Sequence, residues 1–255
     1  RNKVILSHNC IKTVNKWPSN KSIFLPCAGR FVYRVIQTRR GARGMIPTGR
    51  TRPICRKGRC SMKKILVLVP GGRPRGNTRQ LADAFAQGAR EAGHEVQVLY
   101  LQNKEIRGCL GCNACRYGKP CVQKDDFAAL VPHIAWCDTL VFASPLYFWT
   151  ICARMKAILE RFYSLAQPDD APPLGRYEAY PKKDCALLMT AADDLFWTFE
   201  QAVSYYRFAL VNYIGFSDRG VLLAGGCGET DGPPRMGETG HLARGRELGR
   251  TRDGA

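Results

Sequence analysis

The sequence predicts a three-layer α/β/α fold in which helices cover both faces of a five-stranded parallel sheet. Two observations carry this prediction. Beyond residue 61, short apolar runs alternate with segments of helical period, five times over. The connections between them are short, and crossovers of this length require parallel strands with helices on both faces of the sheet.

The predicted elements follow one another in a regular order. KKILVLVP is the first strand, because a continuous apolar run bounded by charge and Gly is typical of a strand buried on both faces. Further strands are predicted at HEVQVLYL, DTLVFASP, CALLMTA and RGVLLAGGC. Helices are predicted at TRQLADAFAQGAREAG, KDDFAALVPHIAWC, TICARMKAILERFYSL, TFEQAVSYYRFALVNYIG and GETGHLARGRELGRT. Ligands of such sheets bind at the carboxyl ends of the strands, so we expect a site on the loops after Val69, Tyr100, Ala143, Met189 and Leu223.

The positive charge of the chain is concentrated before this domain. The formal net charge is +18, yet residues 1–61 hold 15 Lys and Arg and no acid, whereas residues 62–255 hold 24 Lys and Arg against 21 acids. We interpret residues 1–61 as a basic extension without its own fold, disordered or non-physiological, and expect Met62 to be the natural start. The alternative is a basic arm that binds RNA or anionic lipid. Nucleic acid is therefore not the expected partner of the domain.

The sequence lacks the apolar segments that secretion or membrane insertion requires. It has no run of about 18 apolar residues. It also lacks the continuous apolar stretch of about 7–15 residues that a signal peptide contains. We therefore expect a cytoplasmic protein with no membrane partner and no disulfide framework.

A glycine-rich loop connects the first strand to the first helix and reads PGGRPRGNT, residues 70–78. The free N–H groups and the dipole at a helix start favour a phosphate, and glycine lets the backbone approach it closely. The loop has no Lys for a nucleoside triphosphate and does not match G-x-G-x-x-G. Its chemistry alone leaves two interpretations open, a phosphate site or a plain helix cap by Asn77 or Thr78.

Three consecutive aromatic residues, Tyr147, Phe148 and Trp149, follow the third strand. Only alternate residues of such a run could point into a core, so the run favours a platform for a flat ring. A hydrophobic dimer contact is the alternative interpretation, and it is compatible with ring binding.

Four of the twelve cysteines cluster in one loop with the spacing C-x2-C-x2-C-x5-C, at Cys109, Cys112, Cys115 and Cys121. A zinc site normally uses two separated pairs, which this loop lacks. Three Cys at two-residue intervals are typical of a ferredoxin run, but there the fourth Cys comes sooner and precedes Pro, whereas here it follows Pro120. A bound cluster, free thiols and a labile disulfide all stay open.

The glycine-rich loop resembles that of the flavodoxin-like NAD(P)H-dependent FMN reductase family, which usually reads Gly-Ser-Pro-Arg-x-x-Gly-Asn-Thr. The matching residues are Arg73, Gly76, Asn77 and Thr78. Gly71 stands where the family has Ser, so a phosphate contact there must come from the backbone. The aromatic segment is similar to the Ser-Pro-x-Tyr loop of the same family, and Lys156 with Glu160 and Arg161 resembles its Lys…Asp-Arg helix signature.

The resemblance implies a flavodoxin-like fold, bound FMN and a homo-oligomer, either a dimer or a dimer of dimers. NAD(P)H would deliver hydride to the flavin, which would reduce a small-molecule or protein acceptor without catalytic side chains. A quinone, a nitroaromatic, an azo dye, chromate and free flavin all stay open as acceptors, and the loop Gln167 to Lys183 would cover the site. The residues that the resemblance assigns to FMN are Arg73, Gly76, Asn77, Thr78, Ser144, Pro145, Leu146, Tyr147, Phe148 and Trp149.

The cysteine loop is similar to that of the iron-sulfur flavoprotein branch of this family, in which four thiolates hold a 4Fe-4S cluster. Other relatives carry the same cysteines followed by Asp-Asp without a cluster, and Asp125 and Asp126 are present here. The resemblance therefore leaves both branches open. A pure electron carrier of the flavodoxin kind is disfavoured by the cysteine loop and by the lack of a strongly acidic surface.

Overall fold

The computed structural model describes residues 62–115, 119–165, 182–228 and 236–251. The basic segment 1–61 lies outside the described residues. So does nearly all of the loop predicted to cover the site, residues 167–183.

Five parallel strands form the sheet, which confirms the predicted fold class. They are β1 (Lys64–Val69), β2 (Glu95–Tyr100), β3 (Thr139–Tyr147), β5 (Asp184–Thr190) and β6 (Ser217–Ala224), with β4 (Thr150–Ile151) between β3 and β5 along the chain. The order across the sheet is β2-β1-β3-β5-β6. The sixth strand, β4, pairs antiparallel with the end of β3. The sequence prediction had placed it in the following helix, because a two-residue strand has no period of its own.

The five helices fall where the sequence predicts them. They are α1 (Asn77–Glu91), α2 (Phe127–Trp136), α3 (Ala153–Arg161), α4 (Glu200–Tyr206) and α5 (His241–Arg250). Helix α3 continues as a 3-10 turn over Phe162–Leu165, and α4 continues as a π-helix over Arg207–Tyr213.

The core lies in two layers, one on each face of the sheet. Alternate residues of β1 and β3 point to opposite faces, as the period of a strand requires. Val67 packs with α1 in one cluster, whereas Leu66 packs with α2 and α3 in the other. This alternation explains why the strands read as continuous apolar runs.

Helices α1 and α5 approach each other closely through glycine. A Cβ atom on Gly88 would lie 1.9 Å from the Arg246 carbonyl oxygen, and one on Gly249 would lie 2.1 Å from that of Phe85. Only glycine permits these contacts. The contact braces α1, whose N-terminus carries the glycine-rich loop.

Candidate functional site

The glycine-rich loop, residues 70–78, runs through Gly76, the extended residue that precedes α1, into the first two residues of that helix. No side chain caps the helix start, so the plain cap by Asn77 or Thr78 is not formed. A Cβ atom on Gly72 would meet nothing within 4 Å. Free N–H groups at a helix start beside open space are the arrangement that binds an anion, so this loop fits a phosphate.

The side chains of Asn77 and Thr78 point into the fold. Asn77 Nδ2 donates to the Cys227 carbonyl oxygen over 2.8 Å, and the hydroxyls of Thr78 and Thr190 are hydrogen-bonded over 2.7 Å. These contacts tie the loop to the carboxyl ends of β5 and β6. The Asn77 Oδ1 atom is buried and has no hydrogen-bond partner in the described part of the chain.

The aromatic run forms a two-residue hairpin turn between β3 and β4. Tyr147 pairs with Thr150, and the turn residues Phe148 and Trp149 have φ of 48° and 59°. Turns of this kind favour Asn and Gly, because a side chain in the left-handed region costs about 1–2 kcal/mol. Phe148 is nonetheless 92% exposed. Two strained aromatic residues that the core does not need point to a functional surface.

The hairpin is supported by the three residues of β3 that precede Tyr147, namely Ser144, Pro145 and Leu146. Ser144 is buried, and its hydroxyl accepts from the Cys152 N–H over 2.9 Å and donates to the Pro145 carbonyl oxygen over 2.8 Å. Pro145 and Leu146 are half-buried. The Pro145 Cδ atom lies 3.8 Å from where a Cβ atom on Gly71 would stand. The hairpin and the glycine-rich loop therefore meet at the carboxyl ends of β1 and β3.

A third loop, which follows β5, extends the exposed aromatic area. The rings of Trp149 and Trp197 lie 5.8 Å apart between centroids, tilted by 32°. We call the exposed apolar residues of the two loops the aromatic surface: Tyr147, Phe148, Trp149, Leu195, Phe196 and Trp197. The sequence pointed to the loop after Met189 but to no residue in it, although the run Leu-Phe-Trp was a visible signal.

The cysteine loop, of which the structure describes residues 104–115 and 119–123, is held to the fold by a buried ion pair. Arg161 Nη1 lies 2.8 Å from Asp125 Oδ2, and the two side chains are 1% and 0% exposed. Both also bind the backbone of Arg107, whose carbonyl oxygen accepts from Arg161 and whose N–H donates to Asp125. Burial alone would raise the pKa of Asp125, but hydrogen bonds from Arg161, Arg107 and Phe127 outweigh it and lower that pKa.

Two further carboxylates hold the same loop. Asp126 accepts from the Glu105 N–H over 2.8 Å, and Glu160 accepts from the Cys109 N–H over 3.1 Å. The hydrogen bond from Lys156 lowers the pKa of Glu160, so this acceptor is ionised at neutral pH. A Cβ atom on Gly108 would lie 2.8 Å from Glu160 Oε2, so this contact favours glycine there. The helix signature and the Asp-Asp pair therefore both serve to fix the cysteine loop.

The four clustered thiols are free and unequal in exposure. Cys109 and Cys112 are exposed, whereas Cys115 and Cys121 are half-buried. Burial raises the pKa of Cys115, and the neighbouring thiols of Cys121, Cys109 and Cys112 raise it further. In the described ranges no three His, Cys, Asp or Glu side chains converge as a metal site. The four thiols are nevertheless close enough for the charges of Cys121, Cys109 and Cys112 to act on Cys115.

Fold and site together define a flavodoxin-like α/β protein with an open glycine-rich loop and an aromatic surface at its β1/β3 switch point. Residues 63–193, just over half of the chain, match the family of NADPH-dependent FMN reductases. The chain belongs to this family.

The similar proteins include two iron-sulfur flavoproteins of Archaeoglobus fulgidus. One is 31% identical over 96 residues, which are 38% of this chain and 47% of that protein. The other is 33% identical over 102 residues, which are 39% of this chain and 45% of that protein. The chain thus spans about half the length of the curated relatives it matches.

A solved structure shares the fold across most of the described domain. It is the NAD(P)H:quinone oxidoreductase from Methanothermobacter marburgensis, with a TM-score of 0.58 and 19% identity, and the match covers 75% of this chain and 99% of that chain. Among the helices that the structure describes, none is both long and apolar enough to cross a membrane.

Proposed function

We propose that this chain is an FMN-dependent oxidoreductase that takes electrons from NAD(P)H and passes them to an acceptor. One observation carries the proposal: the open glycine-rich loop and the strained aromatic hairpin meet at the ends of β1 and β3. That edge is where flavodoxin-like sheets bind FMN. Membership in the NADPH-dependent FMN reductase family supports the same conclusion.

The chain's own residues position the cofactor and leave its ring accessible. The backbone N–H groups of Asn77 and Thr78 bind the phosphate, while the inward side chains of the same two residues keep the loop in place. The Gly76 N–H is not available for this, because it donates to the Arg73 carbonyl oxygen over 3.1 Å. Exposed Arg73 adds positive charge beside it. The aromatic surface, carried on Ser144, Pro145 and Leu146, contacts the flat ring system. FMN, when bound, supplies the hydride and electron chemistry.

The aromatic surface favours a flat aromatic acceptor, because a planar ring can stack on exposed Phe and Trp side chains. The fold neighbour from Methanothermobacter marburgensis is named for a quinone acceptor. We infer a quinone-like acceptor, a homo-oligomer of the dimer or dimer-of-dimers type, and a cytoplasmic location. The adjacent exposed apolar residues of the aromatic surface also suit a subunit contact.

Flavin titration tests the proposal directly. The purified protein should take up FMN and turn yellow, and NADPH or NADH should bleach the flavin rapidly under anaerobic conditions. The double variant Arg73→Ala/Asn77→Ala should bind FMN markedly more weakly. Arg90→Ala, at the far end of α1, serves as the matched control and should bind FMN normally. A protein that stays colourless with excess FMN would contradict the proposed function.

A second candidate function is that of an iron-sulfur flavoprotein. It is favoured by the three carboxylates that fix the backbone of Glu105, Arg107 and Cys109 in the cysteine loop, and by the name of the Archaeoglobus fulgidus relatives. Iron and acid-labile sulfide analysis after anaerobic reconstitution decides it. Cluster content should fall in Cys112→Ser and persist in Cys137→Ala, outside the loop. Absence of iron from the reconstituted wild type would exclude this candidate.

A further inference from the structure

Arg154, at the start of α3, reaches from that helix to the glycine-rich loop. Its Nη1 atom donates to the carbonyl oxygen of Pro70, the first residue of the loop, over 2.9 Å. The side chain is half-buried, and no carboxylate in the described ranges pairs with it. A half-buried guanidinium with one neutral partner keeps most of its five donors for a ligand.

Arg154 also lines a cavity of about 550 Å³ between α3 and the cysteine loop. The other two cations of its wall are already paired. Lys104 lies 3.1 Å from Asp126, and Lys156 lies 2.7 Å from Glu160. Among the described residues of this wall, Arg154 is therefore the cation whose charge is not offset by a carboxylate.

The glycine-rich loop itself brings no buried cation to its anion site. Arg73 and Arg75 are exposed, and the side-chain donors of Asn77 and Thr78 are used inside the fold. A phosphate seated on backbone N–H groups keeps a double negative charge that needs a partner. A guanidinium is the side chain best matched to it, because its planar fork binds two phosphate oxygens at once.

We propose that Arg154 binds a phosphate monoester at the boundary between the glycine-rich loop and this cavity. This inference rests on the proposed function, which supplies two carriers of that group. One is FMN, through its 5′-phosphate, and the other is NADPH, through its 2′-phosphate. The same guanidinium chemistry serves both, and paired ligands that differ only in the phosphate separate them.

The test uses the full chain and three variants, Arg154→Gln, Arg154→Lys and Arg90→Gln. Arg90 is the matched control, because it also donates to a backbone carbonyl, that of Val96, but at the other end of α1. Dissociation constants are measured for FMN and riboflavin with the apoprotein, and for NADP⁺ and NAD⁺ with the FMN-loaded protein. Thermal unfolding of the apoproteins verifies that each variant is folded.

We expect Arg154→Gln to lose affinity for one phosphate-bearing ligand and to keep its affinity for the phosphate-free analogue of that ligand. Because a hydrogen bond to a charged group is lost, we expect weakening of about 10-fold to 100-fold. Arg154→Lys should recover part of it, and Arg90→Gln should change nothing. If affinity falls for FMN but not for riboflavin, Arg154 binds the flavin phosphate. If affinity falls for NADP⁺ but not for NAD⁺, Arg154 binds the 2′-phosphate of the nicotinamide cofactor.

Unchanged FMN-to-riboflavin and NADP⁺-to-NAD⁺ affinity ratios in folded Arg154→Gln would overturn this inference while leaving the proposed function intact. If Arg154→Gln does not fold, the same two affinity ratios are measured in Arg154→Lys instead. Wild-type ratios in that variant, with all four ligands weakened by the same factor, would also overturn the inference. A wild-type protein that binds no FMN would instead overturn the proposed function and this inference together.

Discussion

The glycine-rich loop and the cysteine loop leave adjacent strands, β1 and β2, at the same edge of the sheet, but they are anchored by different chemistry. Neutral groups hold the glycine-rich loop, namely the Asn77 amide and the paired hydroxyls of Thr78 and Thr190. Ionised carboxylates hold the cysteine loop, namely Asp125, Asp126 and Glu160. The first anchor therefore does not depend on pH, whereas the second needs its charges.

The largest effect should come from breaking the buried ion pair of the cysteine loop. Arg161→Ala leaves Asp125 as a buried carboxylate without its cation, and losing one partner of such a pair costs about 3–5 kcal/mol. The free energy of unfolding, measured in urea, should fall by that amount. Lys156→Gln removes an exposed partner of Glu160 on the same helix and should cost less than about 1 kcal/mol. Equal losses in the two variants would contradict the buried clamp.

Breaking the neutral anchor of the glycine-rich loop should have a smaller effect on stability and a specific one on FMN. Thr78→Val leaves the buried Thr190 hydroxyl without its partner, which costs about 1–3 kcal/mol. FMN affinity should fall, because the loop loses its tie to β5. Thiol labelling of Cys109 should stay as in the wild type, since Glu160 still holds that residue. Faster labelling of Cys109 in Thr78→Val would show that the two loops are not independently anchored.

The strained hairpin beside the glycine-rich loop should respond in the opposite direction. Replacing Phe148 by Asn and Trp149 by Gly suits the left-handed turn and should raise the free energy of unfolding by about 1–2 kcal/mol. The same double variant should bind FMN more weakly, because the ring loses its aromatic contacts. Thr150→Val, next to the turn, serves as the control. It should not combine a higher free energy of unfolding with a lower FMN affinity. A double variant that is less stable and binds FMN normally would remove the functional explanation of the strain.

The sequence predicted the fold better than it predicted the details of the site. The hydrophobic periodicity and apolar content of the sequence identify the strands and helices. Their order, and the edge of the sheet that carries the candidate site, could therefore be predicted directly. The roles of Asn77 and Thr78 did not follow, because their partners Cys227 and Thr190 are distant along the chain. Local sequence cannot show which way a short polar side chain points.

The same limit explains the residues that the sequence did not reveal. Arg154 lies in an ordinary helical segment, and its importance comes from Pro70, which is 84 positions away. Trp197 gains its neighbour Trp149 only when β3 and β5 pair. The left-handed turn at Phe148 was hidden because aromatic residues are not turn formers. The sequence analysis identified Asp125 and Arg161 separately, but it did not predict the ion pair between them.

The smallest expected effect follows from the pKa of Glu160. The Lys156 hydrogen bond lowers that pKa below its ordinary value of 4.5, and the Cys109 N–H contributes in the same direction. Because the pKa of Glu160 is lower in the folded state than in the unfolded state, the hydrogen bond from the Cys109 N–H to ionised Glu160 contributes its full stability above the unfolded-state pKa. That contribution is lost as the pH falls through the folded-state pKa. The amide resonance of Cys109 should therefore shift with a midpoint below pH 4.5, whereas the side-chain amide resonance of Asn77 should not titrate with Glu160. Glu160→Gln should abolish this transition at Cys109. If Cys109 still titrates in that variant, then Asp125 or Asp126, whose pKa values are also lowered, controls the loop in its place.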